Sequence, residues 1–172
     1  MGGRTKVVDD ASELVPLLRT FGSPTHKKVF DALTTGWHVV EELSELTEEP
    51  VEVVERSLAM LRRCGLVDSQ WRMVPGAKRP EKEYTCIYTK VYMNFRCSTD
   101  ELAELIRLTF ASSGELQSEV DMLIAELESG NKSLTNLSRI MGKSPMYIKG
   151  LARRTDGLMV KGQRIDKRVI RE

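Results

Sequence analysis

One pattern occurs twice in this chain, and it limits the fold more than any single motif does. From Val29 to Met73 the sequence reads helix, Gly36, amphipathic helix, short turn, second amphipathic helix, then Gly65-Leu66-Val67 opening a strand. From Leu123 to Ile165 the order returns, with Gly130 after the first helix and Gly157-Leu158-Met159 opening the strand. At a constant offset Gly36 matches Gly130, Val40 matches Leu134, Leu43 matches Leu137, Ser44 matches Ser138, Leu46 matches Ile140 and Val54 matches Ile148. A two-residue shortening then brings Gly65-Leu66 onto Gly157-Leu158.

Helix-turn-helix followed by a hairpin is the order of a winged helix, so nucleic-acid recognition is the first expectation. The predicted fold class is mainly α with small β wings, as tandem winged helix-turn-helix domains joined by a helical segment. The expected division is an N-terminal winged helix over 1–97, a helical connector and dimerisation segment over 98–130, and a C-terminal winged-helix-like domain over 131–172.

Charge separates the two copies. The chain is nearly neutral at +1, yet residues 39–61 hold seven glutamates against Arg56, a net of −6. Residues 62–97 come to +5, 98–130 to −7 and 131–172 to +8. Such regional polarity makes the C-terminal segment the natural place for a polyanion. Hydrophobic content of 41% is ordinary for a folded protein. No apolar run approaches the roughly 18 residues of a membrane span, and the N-terminus lacks a signal peptide's apolar stretch. Cys64, Cys86 and Cys97 are isolated and odd in number, which suits a reducing cytoplasm better than a disulfide framework.

Local signals place the elements. A short helix is expected over Ser12 to Thr20. Ser23 caps the next, with Pro24 in its first turn, and Gly36 ends it. Val39, Val40, Leu43 and Leu46 share one face of the positioning helix, leaving Glu41, Glu42 and Glu45 outward. Pro50 begins the first recognition helix, whose inward stripe is Val51, Val54, Leu58 and Leu61. Leu66 to Val74 reads as a strand, 75–80 as a basic turn, and Lys82 to Phe95 as a strand longer than a wing needs. Ser98-Thr99-Asp100-Glu101 opens a helix that is apolar on most of its circumference, and a narrow-striped helix follows from Leu116 to Leu127. In the second copy Ser144 caps the last helix, Pro145 sits at its first position, and 161–164 forms a tight hairpin turn.

A helical wheel turns Ile148, Leu151, Ala152 and Thr155 of that last helix inward. The expected groove-facing side is Met146, Lys149, Gly150 and Arg153, flanked by Tyr147 and Arg154, with Lys143 and Ser144 at the helix start. Lysine and arginine neutralise phosphate or read guanine, and tyrosine donates to phosphate. Gly150 permits close backbone approach to a partner. Lys161 and Arg164 at the hairpin tip are placed to reach flanking phosphate. In the first copy the expected contacts are Arg56, Arg62, Arg63, Arg72, Lys78, Arg79 and Lys82, while Glu48, Glu49, Glu52 and Glu55 crowd the same helix end. Carboxylates facing a phosphate-dense groove are unfavourable, although they suit the positive end of a helix dipole. No histidine or cysteine pair has ligand spacing, so no metal site or cofactor is expected, and no nucleophile or phosphate-loop motif points to an enzyme.

Ser23-Pro24-Thr25-His26 through Gly65-Leu66-Val67 resembles the ArsR-like winged-helix regulators of prokaryotes, which share the Ser-Pro-Thr helix opening and the Leu58 to Val67 ending. Pro80-Glu81-Lys82-Glu83-Tyr84 and the second half are similar to an archaeal branch of that group. The resemblance implies DNA binding through the segment Val51 to Arg56 and dimerisation through terminal helices, here Ser12 to Thr20 with Thr99 to Ser129. This segment departs from the family's usual Ser, Thr, Gln and Arg, keeping only Arg56. The metal-sensing members' cysteine pair is absent from Val39 to Leu46.

The sequence therefore predicts a cytoplasmic, homodimeric regulator of transcription. It would grip double-stranded DNA through basic wings and the C-terminal helix, with no membrane and no cofactor. The alternative is a tandem winged-helix protein-interaction module that serves the transcription machinery or a chromosome complex without reading DNA.

Overall fold

The computed structural model describes residues 3–73, 75, 76 and 78–168. Val74 at the expected strand end, Ala77 in the expected basic tip and residues 169–172 of the C-terminal segment lie outside the described residues. The chain divides into two compact units, one of residues 1–9 and 16–94, the other of residues 10–15 and 95–172. The expected connector and C-terminal segments thus fall together in the second unit.

In the first unit, β1 (Arg4–Val8) precedes α1 (Leu14–Phe21), whose first two residues count with the second unit. Then come α2 (Pro24–Leu33), β2 (His38–Val39), α3 (Val40–Thr47), α4 (Val51–Arg63), β3 (Asp68–Arg72), β4 (Glu81–Thr85) and β5 (Tyr88–Met93). Helix α2 starts where Ser23 accepts a bond from the His26 amide, with Pro24 supplying a fixed φ at the first position. Helices α2, α3 and α4 pack through Val29, Leu33, Leu43, Val54, Leu58 and Leu61, all essentially inaccessible. The wing sheet is antiparallel in the order β2-β4-β3.

Two sequence expectations need correction here. The long strand over 82–95 is two strands: β4 stays in the wing, Cys86 then donates its amide to the Leu33 carbonyl at 3.0 Å, and β5 leaves to pair in parallel with β1. Strand β1 carried too little alternation to be seen. Leu46 is 59% exposed, because the buried line of α3 runs Val39, Leu43, Thr47 at four-residue spacing. Thr47 can take that place since its hydroxyl donates to the Leu43 carbonyl at 2.6 Å.

The second unit holds a 3-10 turn (Ala11–Glu13), α5 (Thr99–Phe110), α6 (Ser113–Glu128), α7 (Leu134–Met141), α8 (Pro145–Arg154), β6 (Leu158–Lys161) and β7 (Arg164–Lys167). Reciprocal caps open α5, between Ser98 and Glu101, and α6, between Ser112 and Glu115. One core joins Val15, Leu105, Leu108, Leu123, Leu137, Ile148, Leu151 and Ile165. The β6–β7 hairpin touches the start of α7 through a bridge between Ser133 and Arg164, as β4 meets β2 in the first unit.

The repeated pattern has a repeated geometry. Ser44 donates its hydroxyl to the Glu49 carbonyl at 2.6 Å, and Ser138 donates to the Lys143 carbonyl at 2.5 Å. Each bond locks a turn whose pivot residue is left-handed: Glu48 at φ 56° and Gly142 at φ 63°. Left-handed backbone is free for glycine and costs an L-residue about 1–2 kcal/mol. Glu48→Gly is therefore expected to stabilise the chain by about 0.5 kcal/mol or more, and Gly142→Ala to destabilise it by about 1 kcal/mol. Urea unfolding of both variants checks the opposite signs; equal shifts at the two positions would contradict the shared turn.

Candidate nucleic-acid interface

The first recognition helix, α4, turns Val54, Ser57, Leu58 and Leu61 inward, and its solvent side carries Glu52, Glu55, Arg56, Ala59 and Arg62, all exposed. Val51, expected in the stripe, is 36% exposed at the helix start. Arg63 is half-buried and engaged. Ser57 bonds His26 Nδ1 at 2.7 Å. Burial, with Arg19 and Arg56 nearby, lowers the His26 imidazole's affinity for a proton.

The wing has two chemically distinct faces. On one, Arg72 reaches Glu42 Oε1 at 2.5 Å and Glu83 Oε2 at 3.1 Å, and Gln70 donates to Glu83 at 2.5 Å. Burial opposes ionisation of Glu42, but the Val39 amide and the Arg72 guanidinium outweigh it and hold the carboxyl below its ordinary range. Arg72 is thereby a brace between α3 and the wing strands, not a free hand for phosphate. On the other face Trp71 is 69% exposed beside exposed Met73, and Lys82, directly opposite in register, lies 5.9 Å from the Trp71 ring centroid. Lys78 and Arg79 are exposed at the tip. Sequence reading passed over Trp71 and Met73, although a large aromatic among polar strand residues beside a basic turn was the available signal.

Helix α8 does not present the face expected of it. Gly150, placed outward on the wheel, is buried, and a Cβ built on it would meet Leu105 Cδ2 at 2.9 Å and Leu108 Cδ1 at 3.0 Å. Lys149 is largely covered and bonds Asp10 at 2.8 Å; Arg153 donates to the Ser12 hydroxyl at 2.7 Å. Burial disfavours the Asp10 carboxylate, and the Lys149 and Ser12 bonds reverse that to give a lowered pKa. Arg154 donates to the Leu108 carbonyl. Tyr147 is buried and donates to Glu119, with burial first and the carboxylate second pushing its phenol up. Lys143 lies 4.9 Å from the Tyr147 ring and 3.4 Å from Glu119; Ser144 caps the helix and donates to Glu104 at 3.0 Å; Met146 packs on the core.

The physical reason is α5. It lays Leu105 and Leu108 across α8, and the Ala11–Glu13 turn packs on α8 as well, so α8 is covered by two neighbours. The close neighbour of Gly150 is α5 of the same unit, not an outside partner. The hairpin cations do keep access to solvent: Arg164 is 2.9 Å and Lys161 4.0 Å from Asp166, and both are exposed. No cluster of three metal-ligating side chains forms among the described residues, and no helix there is long and apolar enough to cross a membrane.

Each unit thus carries a helix-turn-helix followed by a hairpin, and the first leaves the solvent side of α4 exposed. The family model for the ArsR transcriptional regulator matches residues 8–168. The chain belongs to the ArsR family. Among solved structures similar to this ArsR regulator is reduced HlyU from Vibrio cholerae, 25% identical, with 59% of this chain and 93% of that one covered and a TM-score of 0.36. Another is a possible transcriptional regulator from Methanosarcina mazei, 18% identical, with 68% and 86% covered and a TM-score of 0.36. No curated protein matches the chain.

The ArsR regulator's α5–α8 crossing gives a direct test. Gly150→Leu forces a side chain against two fully buried leucines and is expected to destabilise the second unit by about 1–3 kcal/mol. Thermal unfolding measures it, and a neutral result would mean that this face of α8 is open.

Proposed function

We propose that this ArsR-family chain is a cytoplasmic, homodimeric transcriptional regulator that binds double-stranded DNA through its first winged helix. The residues assigned to contact are Arg56 and Arg62 on α4, and Lys78, Arg79 and Lys82 on the wing, with Trp71 and Met73 against the groove. One observation carries the reading: α4 keeps Arg56 and Arg62 on an exposed outer face, whereas the matching face of α8 is spent on Asp10, Ser12, Leu105 and Leu108. The glutamates at the start of α4 favour phosphate contact by its C-terminal half and the wing over base reading by its first turn.

The second unit is proposed as a tandem winged helix converted to another task, its recognition helix serving as a core element. Exposed Leu102, Ile106 and Phe110 along α5 support its use in dimerisation. The covered α8 also favours a second reading for this unit, a protein-interaction module for the transcription machinery.

Fluorescence anisotropy with a labelled random duplex across a salt series tests the proposal. Lys78→Glu/Arg79→Glu is expected to weaken binding at least tenfold and to reduce the slope of log affinity against log salt by roughly 1.8, about 0.9 for each phosphate that is no longer neutralised. Lys149→Met should leave binding unchanged. Weakening confined to Lys149→Met would return the DNA to α8, and no binding at low salt would leave the interaction-module reading.

A further inference from the structure

Between the start of α7 and the β6–β7 hairpin the second unit carries a concave basic corner. Two adjoining clefts, of about 500 Å³ and about 430 Å³, share Lys132, Lys161 and Arg164 among their walls. Both clefts open widely to solvent, so a ligand would rest against their cationic wall and not be enclosed. Asp166 organises the corner. Its Oδ1 lies 3.1 Å from Lys132 Nζ and 2.9 Å from Arg164 Nη2, and its Oδ2 lies 4.0 Å from Lys161 Nζ. Three cations therefore converge on a single carboxylate and leave a surplus of two positive charges on an accessible surface. Hydrogen bonds from Arg164 and Lys132 hold Asp166 ionised, which keeps the cations in place. Asn136 and Gln163 add neutral donors to the wall.

The first unit resolves the same corner differently. At the constant offset that relates Val40 to Leu134, Glu42 matches Asn136. The Val39–Glu83 pair of β2 and β4 matches the Ser133–Arg164 bridge. In the first unit, then, two carboxylates sit here, and Glu42 accepts from both Arg72 and the Val39 amide, at 2.5 and 3.0 Å. In the second, asparagine and arginine stand at those positions. In the first corner two carboxylates share Arg72 and leave no positive surplus, whereas the second keeps one.

We propose that this corner of the second unit binds a small molecule carrying a phosphate group, as an effector site of the regulator. A phosphate monoester carries about −1.5 to −2 charge at pH 7, which matches the surplus, and arginine's planar fork suits its oxygens. The phosphate would occupy the position that the Glu42 carboxylate fills in the first unit. The site does not depend on DNA binding by α4 and its wing.

The test is isothermal titration calorimetry of the full chain with inorganic pyrophosphate at fixed ionic strength. Binding of one pyrophosphate per chain is expected, weakened at least tenfold by Lys132→Gln/Arg164→Gln and unchanged by Lys78→Gln/Arg79→Gln in the first unit. Asn136→Glu, an exposed substitution that restores the first unit's carboxylate, is expected to abolish binding while circular dichroism confirms the fold. The absence of pyrophosphate binding, or equal binding by Asn136→Glu, would overturn the proposal. So would a duplex that displaces pyrophosphate and itself binds tenfold more weakly to Asn136→Glu, since the phosphate would then belong to a DNA backbone.

Discussion

The close crossing of α8 over α5 at Gly150 is the constraint on which the rest of the second unit depends. A glycine in a helix interior costs roughly 1 kcal/mol relative to alanine, and here that cost is offset by the approach of Leu105 and Leu108. Once the helices are that close, the polar side chains around the glycine lose their water and need partners within the unit. Asp10 answers Lys149, Ser12 answers Arg153, Glu119 answers Tyr147 and Glu104 answers Ser144. The acidic segment over 98–130 thus supplies two of these acceptors, both to neutral hydroxyls of its basic C-terminal neighbour.

The same local motif consequently serves two ends. Both helix-turn-helix turns are locked by the same serine-to-carbonyl bond and the same left-handed pivot, so the backbone plan is shared. What differs is the surface around it. In the first unit the carboxylates of Glu42 and Glu83 are spent on bracing the wing through Arg72, which leaves α4 and the wing tip to solvent. In the second, α5 covers α8, and accessible cations gather at the hairpin around Asp166.

Much of the architecture was legible in the residues. The repeat, the Ser23, Ser98 and Ser144 caps and the Gly65 and Gly157 breaks set most helices close to their observed limits. The orientation of α8 was not, because a helical wheel registers only one inward stripe, and Lys149 and Arg153 look solvated until a second neighbour is known. The apolar circumference over Leu102 to Phe110 was the clue that such a neighbour exists. The parallel pairing of β1 with β5 also escaped, since register between distant strands depends on tertiary packing that no local pattern encodes. Arg72 looked like a phosphate ligand for the same reason: its two carboxylate partners are far apart in sequence.

Amide hydrogen exchange of the full chain with and without a duplex tests the central claim most directly, because it reads α4 and α8 in one experiment. The account predicts added protection over residues 51–63 and 68–85, with residues 145–154 already slow to exchange and unchanged by DNA. Protection arising on residues 145–154, with none on the first recognition helix or its wing, would contradict it.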